Sequence, residues 1–316
     1  MAKTSQRILN AICSGLPKAG RTLVWLLKLI VPISLGVQLL QYSGLLNYAA
    51  LAINPLFHVI GLPGTSAIAF VCSLFLPLYA PIAVIGTMTL TIRQISILAI
   101  MCLISHNTLV ETAVQKKTGS SYWFIWFLRI GMSFLAAFLW NIMLPEDMGA
   151  APTITASASV EQTFGQMMLA WSFSTLRLCL KIILIVSGLM ILQRLLEEFH
   201  IMDVLARVFA PFMRVMGLSG DCSFLWFVGN IIGLTYGSAV LIEQIQDGKL
   251  KPSDARMLNN HLAISHSLLE DSLLFIAIGV PAFWVTVPRL LLAIVVCWLI
   301  HGFRAIYLKK IRLNHF

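Results

Sequence analysis

The sequence predicts an all-α polytopic membrane protein built from two inverted-topology repeats, with about six transmembrane helices and two re-entrant helical hairpins. Three observations lead to this fold class: the composition, the length of the apolar runs and an internal repeat. Of the 316 residues, 59% are hydrophobic and 11% are charged, whereas about 25% of the residues in a soluble domain are charged. The composition therefore favours a chain that is surrounded by lipid.

Six apolar runs are about long enough to cross a bilayer, which takes about 20 helical residues. They are Leu23–Tyr42, Ile92–Val114, Tyr122–Met143, Leu176–Leu192, Leu258–Ile278 and Phe283–Ile300. The first run is too long for the apolar core of a signal peptide, which has about 7–15 residues. We therefore expect it to be a transmembrane helix, preceded by an interfacial segment at residues 1–21.

Two pairs of stretches in the chain match each other. Residues 54–64 (NPLFHVIGLPG) resemble residues 210–220 (APFMRVMGLSG), and residues 104–111 (ISHNTLVE) resemble residues 264–271 (ISHSLLED). Such a repeat predicts a duplicated membrane unit. The predicted segments are a first repeat at 22–143, a linker at 144–165, a second repeat at 166–303 and a basic tail at 304–316.

Charge predicts the orientation of the two repeats. The linker stretch Leu144–Thr163 contains acidic residues and no Lys or Arg, whereas both ends of the chain are basic. Basic segments stay in the cytoplasm, so we expect a multi-pass protein of the bacterial inner (cytoplasmic) membrane with both termini cytoplasmic and the linker outside. Each repeat must then cross an odd number of times, which makes the two repeats inverted.

Two further segments are too short for two crossings. Pro63–Leu90 and Leu218–Ile245 have about 28 residues each, and each is interrupted at its centre. Proline and glycine both break helices, and they align here as the predicted hairpin tips Pro77, Pro81, Gly233 and Gly237. Backbone freed at such tips is tolerated where it is buried in protein or lines an aqueous cavity. We therefore predict two re-entrant hairpins.

Local signals also predict where two helices start. Thr91 followed by Gln94 three residues later is a capping-box pattern, which starts the helix from Ile92. Pro252-Ser253-Asp254 is expected to start the counterpart helix in the second half.

The two Ile-Ser-His motifs are the candidate functional site. They place His106 and His266 inside spanning helices near the membrane midplane, where an ionisable residue suggests function by default. The alternative is that these polar side chains only join helices by hydrogen bonds. The predicted substrate-binding residues are His106, Asn107, Thr108, His266, Ser267, Tyr236, Thr235 and Tyr79. The histidines are expected to bind the solute or to relay a proton, and the other residues to supply neutral hydrogen bonds.

Four charged residues in the same helices are expected to pair across tight turns. The predicted structural ion pairs are Glu111 with Arg129 and Asp271 with Arg289, and a stabilising role is favoured over a role in transport. Lys181 is expected to reach the membrane interface through its long aliphatic stem.

Several functional classes are disfavoured by what the chain lacks. It has no GxxxxGK[ST] phosphate loop, no HExxH motif and no CxxC spacing among its six cysteines. We therefore expect no enzyme activity, no metal site and no cofactor. The net charge of +9 comes from short basic clusters beside apolar runs, so no nucleic-acid partner is expected. The cluster Asn259-Asn260-His261 is interpreted as helix packing or cavity lining.

The two Gly-Leu-Pro/Ser-Gly stretches and the two Ile-Ser-His motifs resemble the Gate, or nucleoside recognition, domain family. That family includes membrane domains of nucleoside-recognition proteins, spore maturation proteins and ferrous iron permeases. The resemblance covers roughly Leu23–Gly302 in two copies, and the second copy has Ser267 and Leu268 where the first has Asn107 and Thr108.

The resemblance implies a secondary-transporter-like protein that moves a nucleoside or other small polar solute. A coupling ion, H⁺ or Na⁺, and a homo-oligomer are compatible with it. A non-transporting assembly or regulatory protein of the spore-maturation type and a metal-ion permeation domain are the alternatives.

Overall fold

A computed structural model describes residues 54–148, 163–231, 233–234, 241–242, 244–245 and 248–313, together with separate positions between 6 and 44. Side chains are described as far as residue 306. Throughout this part of the chain the regular structure is helical, and the described residues contain no β-strand. The all-α class predicted from the sequence is confirmed there.

The helices, numbered along the chain, vary widely in length. They are α1 (Ala67–Phe75), α2 (Tyr79–Ile85), α3 (Ile92–Ser105), α4 (Thr108–Lys117), α5 (Tyr122–Met143), α6 (Phe164–Glu198), α7 (Ile201–Met213), α8 (Ser223–Ile231), α9 (Pro252–Ser265), α10 (Glu270–Ala277) and α11 (Ala282–Leu313). Short 3₁₀ turns, Gly64–Ser66 and Gly220–Cys222, precede α1 and α8.

Four helical stretches of the described chain are long and apolar enough to cross a membrane. They are Ile92–Lys117, Tyr122–Met143, Phe164–Leu196 and Ala282–Ile306. Of the two other predicted crossings, Leu23–Tyr42 is described only at separate positions. Leu258–Ile278 is divided between α9 and α10, because the helix is interrupted between Ser265 and Glu270.

Burial separates one central span from three outer ones. The most apolar window of Ile92–Lys117 is 72% buried, whereas those of α5, α6 and α11 are 33%, 29% and 28% buried. The outer helices expose large apolar side chains such as Trp123, Phe127 and Leu184. An apolar outer surface on long helices is the pattern expected where lipid surrounds a bundle. The span formed by α3 and α4 is therefore the centre of the molecule.

The predicted hairpin regions contain short helices. α1 and α8 have nine residues each, about 14 Å of helix against a hydrocarbon core of about 30 Å. Pro77 lies in the break between α1 and α2, as predicted, but Pro81 lies inside α2. Proline is tolerated there because the N–H groups of a first helical turn have no intrahelical acceptor. Gly233 follows the end of α8 with φ +100°, and Gly237 lies outside the described residues.

The helix starts agree in part with the sequence signals. The capping box at Thr91 is confirmed, since its hydroxyl accepts from Gln94 N and its own N–H donates to Gln94 Oε1. Pro252 is confirmed as the first residue of α9. α6 begins at Phe164, two residues before the predicted start of the second repeat, and α11 continues to Leu313, ten residues past its predicted end.

Candidate functional site

Both Ile-Ser-His motifs lie at helix breaks rather than inside continuous helices. α3 ends at Ser105 and α4 begins at Thr108, while α9 ends at Ser265 and α10 begins at Glu270. Asn107 and Ser267 have φ values of +47° and +51°, a left-handed conformation that few residues other than glycine adopt. The expectation of unbroken spanning helices at these positions is therefore wrong.

At each break, a backbone N–H donates a hydrogen bond to a carbonyl of a neighbouring short helix. The N–H of Asn107 donates to the carbonyl of Ser73 in α1 at 2.7 Å, and the N–H of Ser267 donates to the carbonyl of Gly229 in α8 at 3.0 Å. These bonds matter because an unpaired backbone group in hydrocarbon costs several kcal/mol. The short helices thus supply acceptors that the broken helices lack.

Two fully buried arginines satisfy the carbonyl groups at the same breaks. Arg129 donates from Nε to the carbonyl of Ile104 at 2.9 Å and from Nη2 to that of His106 at 2.7 Å. Arg289 donates from Nη2 to the carbonyl of His266. Both arginines have 0% exposure. Their guanidinium groups therefore donate hydrogen bonds to the backbone carbonyls at the helix breaks, in addition to contributing positive charge near the buried carboxylates.

The two histidine rings face each other. Their Nε2 atoms are 3.4 Å apart and their ring centroids 4.9 Å apart. Nδ1 of His106 lies 3.2 Å from the carbonyl of Cys102, and Nδ1 of His266 lies 2.8 Å from that of Leu262. A carbonyl only accepts, so each Nδ1 carries the proton. In the neutral rings, each Nε2 therefore presents a lone pair.

Two carboxylates adjoin the facing nitrogens. Glu111 Oε1 is 3.4 Å from His106 Nε2, and Glu111 Oε2 is 3.1 Å from His266 Nε2. Asp271 Oδ2 is 3.4 Å from His106 Nε2. These four residues, which we call the histidine–carboxylate cluster, are each at most 8% exposed. Each half of the chain contributes one histidine and one carboxylate to this closed centre.

The predicted ion pairs differ between the halves. Arg129 Nη1 lies 2.7 Å from Glu111 Oε2, whereas Asp271 contacts His106 and Arg289 contacts a carbonyl. Asp271 stands where the first half has Glu111, and its side chain is one methylene shorter. The shorter reach explains why the second pairing is not formed in the same way.

The predicted solute-binding polar residues differ in their burial and in their hydrogen-bond partners. Tyr79 donates to Glu270 Oε1 at 3.0 Å, and Thr108 donates to the carbonyl of Ser105. Asn107 is only half-buried and Ser267 is buried. Thr235 and Tyr236 lie outside the described residues. Glu270 was not predicted from the sequence, although its acidic side chain beside Asp271 was a signal that could have identified it.

The polar cluster in the second half of α9 joins helices. Asn259 donates from Nδ2 to the hydroxyls of Thr118 at 2.7 Å and Ser120 at 2.8 Å, and Gln115 donates to the carbonyl of Asn259 at 2.9 Å. His261 accepts from Trp226 Nε1 at 3.4 Å. These contacts agree with the packing interpretation of the Asn-Asn-His sequence.

Two surface clefts lie beside the start of α9, and the smaller one is also lined by Ser120, Ser121 and Phe124 of the first half. Their volumes are about 570 Å³ and 370 Å³, and both are lined by Ser253, Met257 and Arg304. Neither is lined by a residue of the histidine–carboxylate cluster. These two clefts therefore do not reach the cluster in this conformation.

A helical bundle with an apolar exterior and a buried charged centre defines the chain as an integral membrane protein. The family model described as "Gate: Nucleoside recognition" matches residues 23–119 and 179–299. The chain therefore belongs to the Gate family, which confirms the resemblance predicted from the motifs. It is also similar to the uncharacterized membrane protein YvoD of Bacillus subtilis (strain 168), with 30% identity over 280 residues, 87% of this chain and 89% of the relative. No solved structure matches the chain.

Proposed function

We propose that the protein is a secondary-transporter-like membrane protein that moves a small polar solute, with a nucleoside as the first candidate from the family description. The observation that carries the proposal is the meeting of two broken helices, at His106–Asn107 and His266–Ser267, in one buried centre. In membrane proteins, discontinuous helices of this kind surround substrate and ion sites near the midplane.

Matched backbone features support two structurally equivalent repeats. Gly61 and Gly217 occupy equivalent positions with φ of +75° and +74°, and the paired bonds to Ser73 and Gly229 are also equivalent. The family model matches the chain twice. We infer that each short helix belongs to a re-entrant hairpin, and that six crossings complete the fold in the inner membrane with both termini cytoplasmic.

Alternating access would act on contacts between the halves. Glu111 of the first half contacts His266 of the second, and Asp271 of the second contacts His106 of the first. Rocking one half against the other would part these contacts and open the centre to one side at a time. The polar groups freed by that motion, with Asn107 and Ser267 at the breaks, would then hydrogen-bond the solute.

Uptake by the reconstituted protein tests the proposal. Proteoliposomes are given a panel of labelled nucleosides and other small polar solutes, with a pH gradient, a Na⁺ gradient or neither. We expect saturable uptake of at least one solute and its loss in His106→Leu. His58→Leu is the matched control, because His58 is exposed and outside the cluster.

The alternative class predicts a different result. A non-transporting assembly protein would take up no member of the panel, although it is folded and inserted. Equal uptake by His106→Leu and the wild type would contradict the role assigned to the centre.

A further inference from the structure

We propose that His106, His266, Asp271 and Glu111 form a binding site for one divalent transition-metal ion of the Zn²⁺ class. The inference goes beyond solute transport and does not depend on it, because metal binding is a property of the purified protein. Donor orientation, donor spacing and local charge each point to it separately.

The orientation of the donors is that of metal-binding histidines. Both rings use Nδ1–H to donate to helix carbonyls, of Cys102 and Leu262. Ligand histidines almost always donate their second ring nitrogen in this way, which fixes the tautomer that offers Nε2 to the metal. In neutral rings, the two Nε2 lone pairs face each other at 3.4 Å and cannot form a hydrogen bond. A cation between them removes this conflict.

The spacing of the donors suits a four-coordinate ion. Zinc binds imidazole nitrogen and carboxylate oxygen at about 2.0–2.2 Å, so two ligand atoms of a tetrahedral site lie about 3.3–3.5 Å apart. The observed separations are 3.4 Å from His106 Nε2 to His266 Nε2, Asp271 Oδ2 and Glu111 Oε1. His266 Nε2 lies 3.1 Å from the other Glu111 oxygen, Oε2, which also lies 2.7 Å from Arg129 Nη1. The donor atoms of both histidines and Asp271 all lie within 4.8 Å of one another.

An acceptor aimed into this space has no hydrogen-bond partner. Asp271 Oδ2 is buried without one, and a buried carboxylate oxygen normally has a partner. His106 Nε2 lies 3.4 Å from this oxygen, and it cannot donate a hydrogen bond in the neutral ring because it carries a lone pair. A bound metal ion would engage both atoms at once.

The surrounding charge favours a cation. Glu111 and Asp271, together with the neighbouring Glu270, outnumber the two buried guanidinium groups of Arg129 and Arg289. When all three carboxylates are ionised and both histidines are neutral, the centre has one excess negative charge. Imidazole ligands favour Zn²⁺, Fe²⁺, Ni²⁺ or Cu²⁺ over Mg²⁺ and Ca²⁺, which prefer oxygen.

Such an ion would connect the two halves of the chain. His106 and Glu111 belong to the first half, and His266 and Asp271 to the second. A bound metal ion would therefore stabilise the closed centre, because opening it would remove ligands from the ion.

Metal titration of the full-length protein tests the site. The protein is purified in detergent without a polyhistidine tag, stripped with a chelator, and titrated with Co²⁺ and then Zn²⁺. We expect one Co²⁺ per chain with the visible absorption of tetrahedral cobalt, displaced by Zn²⁺. His266→Gln and Asp271→Asn should each weaken binding by more than the roughly 10–100-fold that loss of an outer-shell partner costs, while His58→Gln should bind like the wild type.

A second measurement keeps the test decisive if a variant folds poorly. Zn²⁺ should raise the melting temperature of the wild type and of His58→Gln, and a chelator should reverse the effect. The site is refuted if folded wild type binds neither ion, or if both His106→Gln and His266→Gln retain full affinity while folded. Solute uptake by a protein that binds neither Co²⁺ nor Zn²⁺ would remove the metal site and leave the proposed transport intact.

Discussion

Arg129 binds both a carboxylate and the broken backbone, so its removal should have two costs. Arg129→Leu leaves Glu111 unpaired in a buried site, and breaking a buried ion pair costs about 3–5 kcal/mol. It also leaves the carbonyls of Ile104 and His106 without their donors, at about 1–3 kcal/mol for each unsatisfied group. We expect Arg129→Leu to lower the thermal stability strongly.

The double variant separates these two contributions. Arg129→Leu/Glu111→Leu should be more stable than Arg129→Leu, because no charge is left unpaired, but less stable than the wild type, because the carbonyls remain unsatisfied. Thermal unfolding in detergent measures the order, with Arg207→Leu as the exposed control. A double variant no better than the single one would contradict direct pairing.

Asn107 allows the side chain and the backbone conformation to be tested apart. Its φ of +47° costs about 1–2 kcal/mol for most residues and almost nothing for glycine. Asn107→Gly should therefore fold as stably as the wild type, while Asn107→Val should lose about 1–3 kcal/mol.

The ligand-induced thermal shift of the same variants tests whether the Asn107 side chain binds the solute. If the amide binds the solute, Asn107→Gly should lose the ligand-induced thermal shift without losing stability. Ser267→Gly should have the weaker effect, because the second motif has serine at this position. Full solute response in Asn107→Gly would exclude the Asn107 amide from the site.

At the scale of the element, sequence reasoning located the helices better than the breaks. The apolar run from Ile92 to Val114 reads as one helix because a single Asn is not a strong breaker. What ends α3 is tertiary: the Ser73 carbonyl and the Arg129 guanidinium provide the partners for the broken backbone. Neither contact is visible in a local pattern.

The spacing of residues along the sequence predicted a contact within the first half, but it could not predict contacts between the halves. Glu111 and Arg129 are 18 residues apart on helices joined by a tight turn, so their pairing followed from sequence. The contact of Glu111 with His266 spans 155 residues, and it requires the packing of the two halves to be known. For the same reason no metal site was predicted: the donor residues are separated along the chain and converge only in the fold.

Lys181 was expected to reach the interface, but it caps a helix instead. Its Nζ donates to the carbonyl of Ala277, the last residue of α10, at 2.9 Å. A cation at a helix C-terminus is favourable by about 0.3–1 kcal/mol, and a hydrogen bond to a charged group adds about 1.5–3 kcal/mol.

Removing that ammonium should therefore loosen α10. We expect Lys181→Met to lower the stability by about 1–3 kcal/mol, measured by thermal unfolding. Lys116→Met is the matched control, because Lys116 is exposed. Equal melting points for the two variants would show that the cap contributes nothing.

For the whole molecule, the composition predicted a membrane protein, and the burial of each helix shows which helices are central and which are outer. The central span of α3 and α4 contains the break at His106–Asn107, and the outer helices α5, α6 and α11 present their apolar faces outward. A linear sequence does not separate these roles, since all four stretches are similarly apolar. The burial contrast therefore places the His106–Asn107 break inside the bundle rather than at the lipid surface.

The charge distribution along the chain predicts that the two halves have inverted orientations, and cysteine labelling tests this prediction. The linker has no Lys or Arg, whereas the chain ends and the segment Lys249–Arg256 are basic. Because positive segments remain in the cytoplasm, a cysteine at Thr155, in the linker outside the described residues, should face outward. A cysteine at the exposed Lys251 should face inward.

In intact spheroplasts, a membrane-impermeant maleimide should label Thr155→Cys at once and Lys251→Cys only after permeabilisation. The parent protein is the control for its six native cysteines, whose background is subtracted from both variants. Outward labelling at both positions would mean that the chain between Thr155 and Lys251 crosses an even number of times, against the proposed topology. Inward labelling of Thr155→Cys would mean that the first half crosses an even number of times. The halves would then share one orientation, and the two helix breaks would not approach the centre from opposite sides of the membrane.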